Sequence, residues 1–155
     1  MKKVILSVLV LSLTLFVSCG DKAKKDSSEK EKVKEEVVEE VAEVDPMQNK
    51  GIGPIKSVTL AAEVDKDLAA KGKEVYDQMC SACHKTDKKF IGPAPKDILE
   101  RRTPEWVMNM ILNPDEMVKK DPIAKALLAE YLSPMSNQNL TEEQARAILE
   151  YFRTL

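Results

Sequence analysis

The stretch CSACHK, residues 80–85, sets two of the chain's three cysteines directly before its only histidine. Upstream, Asp65 or Asp67 caps a predicted helix that runs through Leu68, Gly72, Val75, Tyr76 and Met79 into this motif. Downstream the punctuation stays helical. Thr103 and Pro104 supply a cap and a preorganised first residue for PEWVMNMIL, and Asn113 with Pro114 stops that helix. Asp121 and Pro122 repeat the device before IAKALLAEYL. The last helix opens on TEEQ, where Thr141 and Gln144 have capping-box spacing, and turns Ala145, Ile148, Leu149 and Phe152 inward. No alternating apolar run bounded by hairpin turns interrupts this series, so the expected fold class is all-α.

Three chemistries use such a motif. A structural zinc site takes four Cys, His or carboxylate ligands, usually in two separated pairs, and no other Cys or His lies between residue 20 and the C-terminus. Thiol/disulfide exchange needs only the cysteines, commonly sits on a βαβ scaffold, and leaves His84 without a part. Covalent haem attachment uses every residue: the two thiols add across two vinyl groups, and the imidazole one residue on binds the iron. The expectation is therefore one haem c, tethered by Cys80 and Cys83, with His84 as its proximal ligand.

The rest of the 155 residues says where such a domain works. Residues 1–18 have a basic start and an apolar run from Val4 to Val17, shorter than the roughly 20 residues a membrane helix needs, which fits a secretory signal peptide. The run ends in FVSCG, which resembles a bacterial lipoprotein processing site and implies that Cys19 is lipidated. An ordinary signal with an incidental cysteine is the alternative, and both place the mature protein outside the cytoplasm. Residues 19–46, rich in Lys and Glu, read as a charged, lipid-anchored linker unable to bury enough apolar surface to order itself. Residues 47–62 read as an extended arm over the domain, and 63–155 as the domain itself. The formal charge is only −2, with no separate basic cluster, so nucleic acid is not an expected partner.

Residues 65–155 resemble a small monohaem cytochrome c of the His/Met type. Gly72, Tyr76 and Cys80, in GKEVYDQMCSACH, match that family's small residue, aromatic and cysteine at four-residue steps. The resemblance implies that this face crosses the C-terminal helix, near Ile148 and Tyr151, with the glycine permitting close approach. IGPAP resembles the family's Gly-Pro turn, which implies that the carbonyl of Pro93 accepts a hydrogen bond from the His84 ring. The sixth ligand must come from seven methionines, since no second histidine exists. Met79 precedes the motif on its own helix, and Met108 and Met110 fall on a stretch where core packing is the default. Met117, in an apparent polar turn, and Met135, in LSPMSNQNL, remain, and the family's distal methionine stands where Met135 does. Trp106 either packs on the haem edge or donates its indole hydrogen to a propionate, with Arg101 or Arg102 pairing the carboxylates. Their bland counterparts are a core tryptophan and solvent-facing arginines. Lys85, Lys88 and Lys89 either border the exposed haem edge or form a solvated face.

The resemblance implies a one-electron carrier, not an enzyme, because a His/Met iron has no open position. It is expected on the periplasmic side of a bacterial membrane, held by lipid on Cys19, passing electrons between membrane respiratory components and a periplasmic reductase or oxidase. Nitrous oxide reductase is the acceptor that the resemblance suggests. The alternative is a redox or gas sensor whose sixth ligand is vacant or displaceable.

Overall fold

A computed structural model describes residues 44–155; the expected signal peptide, the expected lipidation site Cys19 and the expected linker before residue 44 lie outside them. The described residues form five α-helices with no strand: α1 (Lys66–Met79), α2 (Pro104–Leu112), α3 (Pro114–Lys120), α4 (Pro122–Tyr131) and α5 (Glu142–Phe152), plus a 3₁₀ turn at Ile98–Glu100. None is long and apolar enough to cross a membrane. The caps are those the sequence predicts. Asp65 accepts from the Leu68 N–H at 2.9 Å, Thr103 from Trp106 at 3.1 Å and Asp121 from Ala124 at 2.8 Å. Thr141 and Gln144 close a reciprocal capping box.

Helices α1 and α5 cross in backbone contact. A Cβ on Gly72 would stand 1.9 Å from the Ala147 carbonyl oxygen and 2.8 Å from the Ile148 nitrogen, so only glycine permits this crossing. One turn on, the Tyr76 ring tilts against Tyr151, with centroids 5.4 Å apart, and meets Phe152 edge-on at 5.8 Å. The start of α1 is fastened to the end of α5 by Glu150, a fully buried carboxylate. Glu150 accepts from the Asp65 backbone N–H at 2.9 Å and from Arg146 and Arg153 at 2.5 Å each. Burial alone would push this carboxyl up, but the Arg146 and Asp65 hydrogen bonds and the two guanidinium charges hold it below its ordinary range.

Helix α2 is the central element, burying Trp106, Val107, Met108 and Ile111. With its C-cap residue Asn113 it presents three polar side chains at four-residue steps, which places them on one stripe. Glu105 accepts the Val58 N–H at 3.1 Å. Asn109 accepts from Ile55 and donates to the carbonyls of Lys50 and Ile55, each at 2.9 Å. Asn113 donates to the Ile52 carbonyl at 3.0 Å. Residues 44–62 form no regular element, and this stripe supplies partners that a sheet would otherwise provide.

The sequence reading misses α3. It takes Pro114 as a stop and Met117 as part of a polar turn, whereas Pro114 opens a new helix with Asp115 and Glu116 in its first turn and Lys119 and Lys120 in its last. That charge order suits the helix dipole, and proline is tolerated at a first helical position. Met117 is completely buried, and its sulfur accepts the Ile52 N–H at 3.0 Å.

Candidate functional site

Between α1 and α2 the chain makes one compact excursion, residues 80–103, and His84 sits at its root. Its N–H donates to the Cys80 carbonyl at 2.9 Å, and its own carbonyl accepts from the Tyr76 hydroxyl at 2.9 Å. Ring nitrogen Nδ1 lies 2.8 Å from the Pro93 carbonyl oxygen. Because a carbonyl only accepts, Nδ1 carries the proton and Nε2 keeps a lone pair for a metal. Gly92 closes over the ring, where an added Cβ would stand 2.4 Å from Cε1 and 2.8 Å from Nδ1. Burial, with the neighbouring Tyr151 second, pushes the Tyr76 phenol up to about 12, which keeps it a donor at physiological pH.

The excursion is fastened internally. Gly92 donates to the Cys83 carbonyl at 2.9 Å and Lys96 to Thr86 at 3.0 Å. Arg101 reaches back to the carbonyls of Ala94 at 3.2 Å and Lys96 at 2.7 Å, with a longer bond to Asp97. Arg102 donates to the Arg101 carbonyl at 2.6 Å and lies over the Trp106 ring, 5.3 Å from its centroid. Lys89 ties the loop to the end of α4, bonding Glu130 at 2.6 Å and lying over Tyr131. Lys85 bonds the Ser81 carbonyl and covers Phe90.

Cys80, Cys83, His84, Pro93, Arg101, Arg102, Trp106 and Met135 all line one pocket, with Ile98, Met110, Val118, Leu127 and Leu128 among its apolar walls. Cys19 lies outside the described residues. Burial, with Cys83 adding to it, pushes the Cys80 thiol up to about 11, the reverse of what a thiol-exchange centre needs. Among the described residues no three His, Cys, Asp or Glu side chains gather as they would around a metal ion. A haem suits this donor set: two neighbouring thiols, an imidazole with one free nitrogen, an apolar lining for the macrocycle and two arginines for its carboxylates.

Two alternatives that the sequence leaves open are narrowed here. The indole N–H of Trp106 does not point to a propionate, for it donates to Asp121 Oδ1 at 3.1 Å, and the ring is almost fully buried. Trp106 is a pocket wall by its face alone. Met117 is no rival sixth ligand, since its sulfur is engaged by the arm and it does not border the pocket. Met79, Met110 and Met135 do border it. Met79 stands next to Cys80 at the end of α1, and Met110 is rooted in α2. Met135 lies on the irregular segment 132–141 between α4 and α5, half-buried.

Sequence reasoning overlooks the Tyr76 hydroxyl bond to His84, because a tyrosine at that helical step reads simply as an aromatic. The stripe on α2 had a visible signal, polar residues every fourth position of an otherwise apolar helix. The sequence model of the Cytochrome c family matches residues 69–155. No curated protein sequence matches the chain. Among solved structures, cytochrome c from Rhodothermus marinus is 46% identical, with a TM-score of 0.65, covering 66% of this chain and 88% of that one. An engineered form of the same protein is 45% identical at a TM-score of 0.64, over 66% of this chain and 89% of its own. Another, described as bound to a carbene intermediate, is 46% identical at 0.62, over 66% and 88%.

Proposed function

This chain belongs to the cytochrome c family, and from that premise we propose that it carries single electrons between membrane respiratory components and a periplasmic reductase or oxidase. Haem-based electron transfer is the family's work, with the haem held covalently, and Cys80 and Cys83 are the thiols that suit the attachment. When bound, the haem supplies a one-electron ferric/ferrous couple. His84 offers Nε2 as proximal ligand while Pro93 keeps the ring oriented and basic. Met135 is the distal ligand in this reading, and a thioether there favours the ferrous state. The apolar walls exclude water, and Arg101 and Arg102 border the pocket where propionates need partners.

The observation that carries the reading is the meeting of Cys80, Cys83, His84 and Met135 on one pocket while Met117 is spent elsewhere. Lipidation at Cys19, a periplasmic position and nitrous oxide reductase as the acceptor belong to the same proposal. They rest on the signal-like N-terminus and the resemblance of the domain to small periplasmic cytochromes. The test is the mass and the spectra of protein matured in a host competent for haem attachment. One covalent haem per chain is expected, with the ferric charge-transfer band of methionine ligation lost in Met135→Ala and retained in Met110→Ala. Retention of that band in Met135→Ala would overturn the ligand assignment, and a colourless wild type would overturn the whole reading.

A second reading, a redox or gas sensor with a displaceable sixth ligand, is favoured by the place of Met135 in an irregular segment. The engineered relative bound to a carbene intermediate points the same way. Binding of carbon monoxide to the ferrous wild type at micromolar concentrations would favour the sensor, and exclusion of it the carrier.

A further inference from the structure

His84 is restrained by two kinds of group. Its ring is held by the excursion itself, through Pro93 and Gly92, whereas its main-chain carbonyl is held from outside, by the Tyr76 hydroxyl at 2.9 Å. Tyr76 is a core residue, 2% exposed, one turn beyond the glycine at which α1 and α5 touch. Its ring is locked between Tyr151 and Phe152 of α5. Among the described residues, the hydroxyl is therefore the one side-chain donor that runs from the α1/α5 crossing to the residue bearing the metal-binding nitrogen. A phenylalanine would fill the same space and keep the ring contacts, so packing alone does not call for the oxygen.

We propose that Tyr76 is a positioning residue for the proximal ligand, its hydroxyl fixing the Cys83-His84-Lys85 main chain so that the imidazole keeps its bond to Pro93. This rests on the electron-carrier reading and adds a residue to it. Without the hydroxyl the His84 peptide turns more freely, and the Nδ1–H to Pro93 bond weakens with it. An imidazole with a weaker second bond is a less basic ligand and stabilises ferric iron less. The midpoint potential should then rise.

The experiment compares the haem-loaded wild type with Tyr76→Phe and Tyr151→Phe, the latter losing a hydroxyl from the same aromatic cluster. Tyr76→Phe is expected to shift the ferrous/ferric ratio at fixed potential three- to tenfold toward ferrous, where tenfold is about 59 mV for one electron. It is also expected to speed exchange of the His84 Nδ1 proton, seen by NMR of the ferrous protein. Tyr151→Phe should do neither, even where its melting temperature falls as far. Equal potentials and equal exchange in the two variants would overturn the proposal while leaving the carrier reading intact. A second measurement needs no variant: a slowly exchanging Tyr76 hydroxyl proton in the wild type is expected, and its absence would also overturn the bond. A wild type without covalent haem would remove both readings, and mass spectrometry identifies that case separately.

Discussion

Two irregular segments face the same pocket and are built in opposite ways. Residues 80–103, which carry His84, are stitched through their own carbonyls by Gly92, Lys96 and Arg101, and anchored from the core by Tyr76. Residues 133–140, which carry Met135, form only local hydrogen bonds among the described residues, from Gln138 to the Ser136 carbonyl and from the Asn139 N–H to Asn137. The proximal side is thus organised by the protein alone. The Met135 segment is held instead by packing, with Met135 and Leu140 against the core, and has no comparable stitching of its own carbonyls among the described residues.

The contrast can be broken most sharply at Gly92. Gly92→Ala drives a methyl into the His84 ring, which Pro93 holds from behind, and neither backbone nor imidazole yields easily. A loss of about 3 kcal/mol is expected in urea unfolding of the holoprotein, together with a disturbed proximal imidazole signal by NMR.

The next effect lies at the crossing that supports the proximal side. Glu150→Gln keeps the shape but removes the charge shared by Arg146 and Arg153, costing about 2 kcal/mol at neutral pH. The folded carboxyl titrates below its ordinary value of 4.5, so its contribution is complete above that pH and disappears as pH falls through the folded value. The stability gap between wild type and Glu150→Gln should accordingly close on acidification below about 4.5. A gap that stays constant to pH 3 would contradict it.

Smallest is the stitching itself. Arg101→Ala strips the donors from the Ala94 and Lys96 carbonyls, and about 1 kcal/mol of stability should go with it. Asn137→Ala, its distal counterpart, should cost less than about 0.5 kcal/mol. Equal costs in denaturant melts would mean that the two segments are not differently built after all.

The legible parts were those written within a turn or two of chain. The caps at Asp65, Thr103, Asp121 and Thr141 satisfy orphan amides of their own helices, and the resemblance carried by Gly72, Tyr76 and Cys80 marks the crossing face. Pro114 misled because proline both ends one helix and begins the next, and only the charge order of the following residues separates the two cases. Met117 misled, and the Trp106 indole stayed undecided, for another reason. Each has a partner more than a dozen residues away, Ile52 for the sulfur and Asp121 for the indole, and no local pattern encodes such a pairing.

By itself, then, the sequence determined the all-helical fold, the thiol pair and histidine that suit a covalent haem, and the helix ends around them, because a motif and a cap act over a few residues. Only the tertiary structure decided which methionines remain available to the pocket, where the tryptophan hydrogen goes, and how the arm is held by Glu105, Asn109 and Asn113. Those choices are competitions for donors and acceptors among distant segments. They are resolved only when packing has brought the competitors together and burial has made an unpaired group costly.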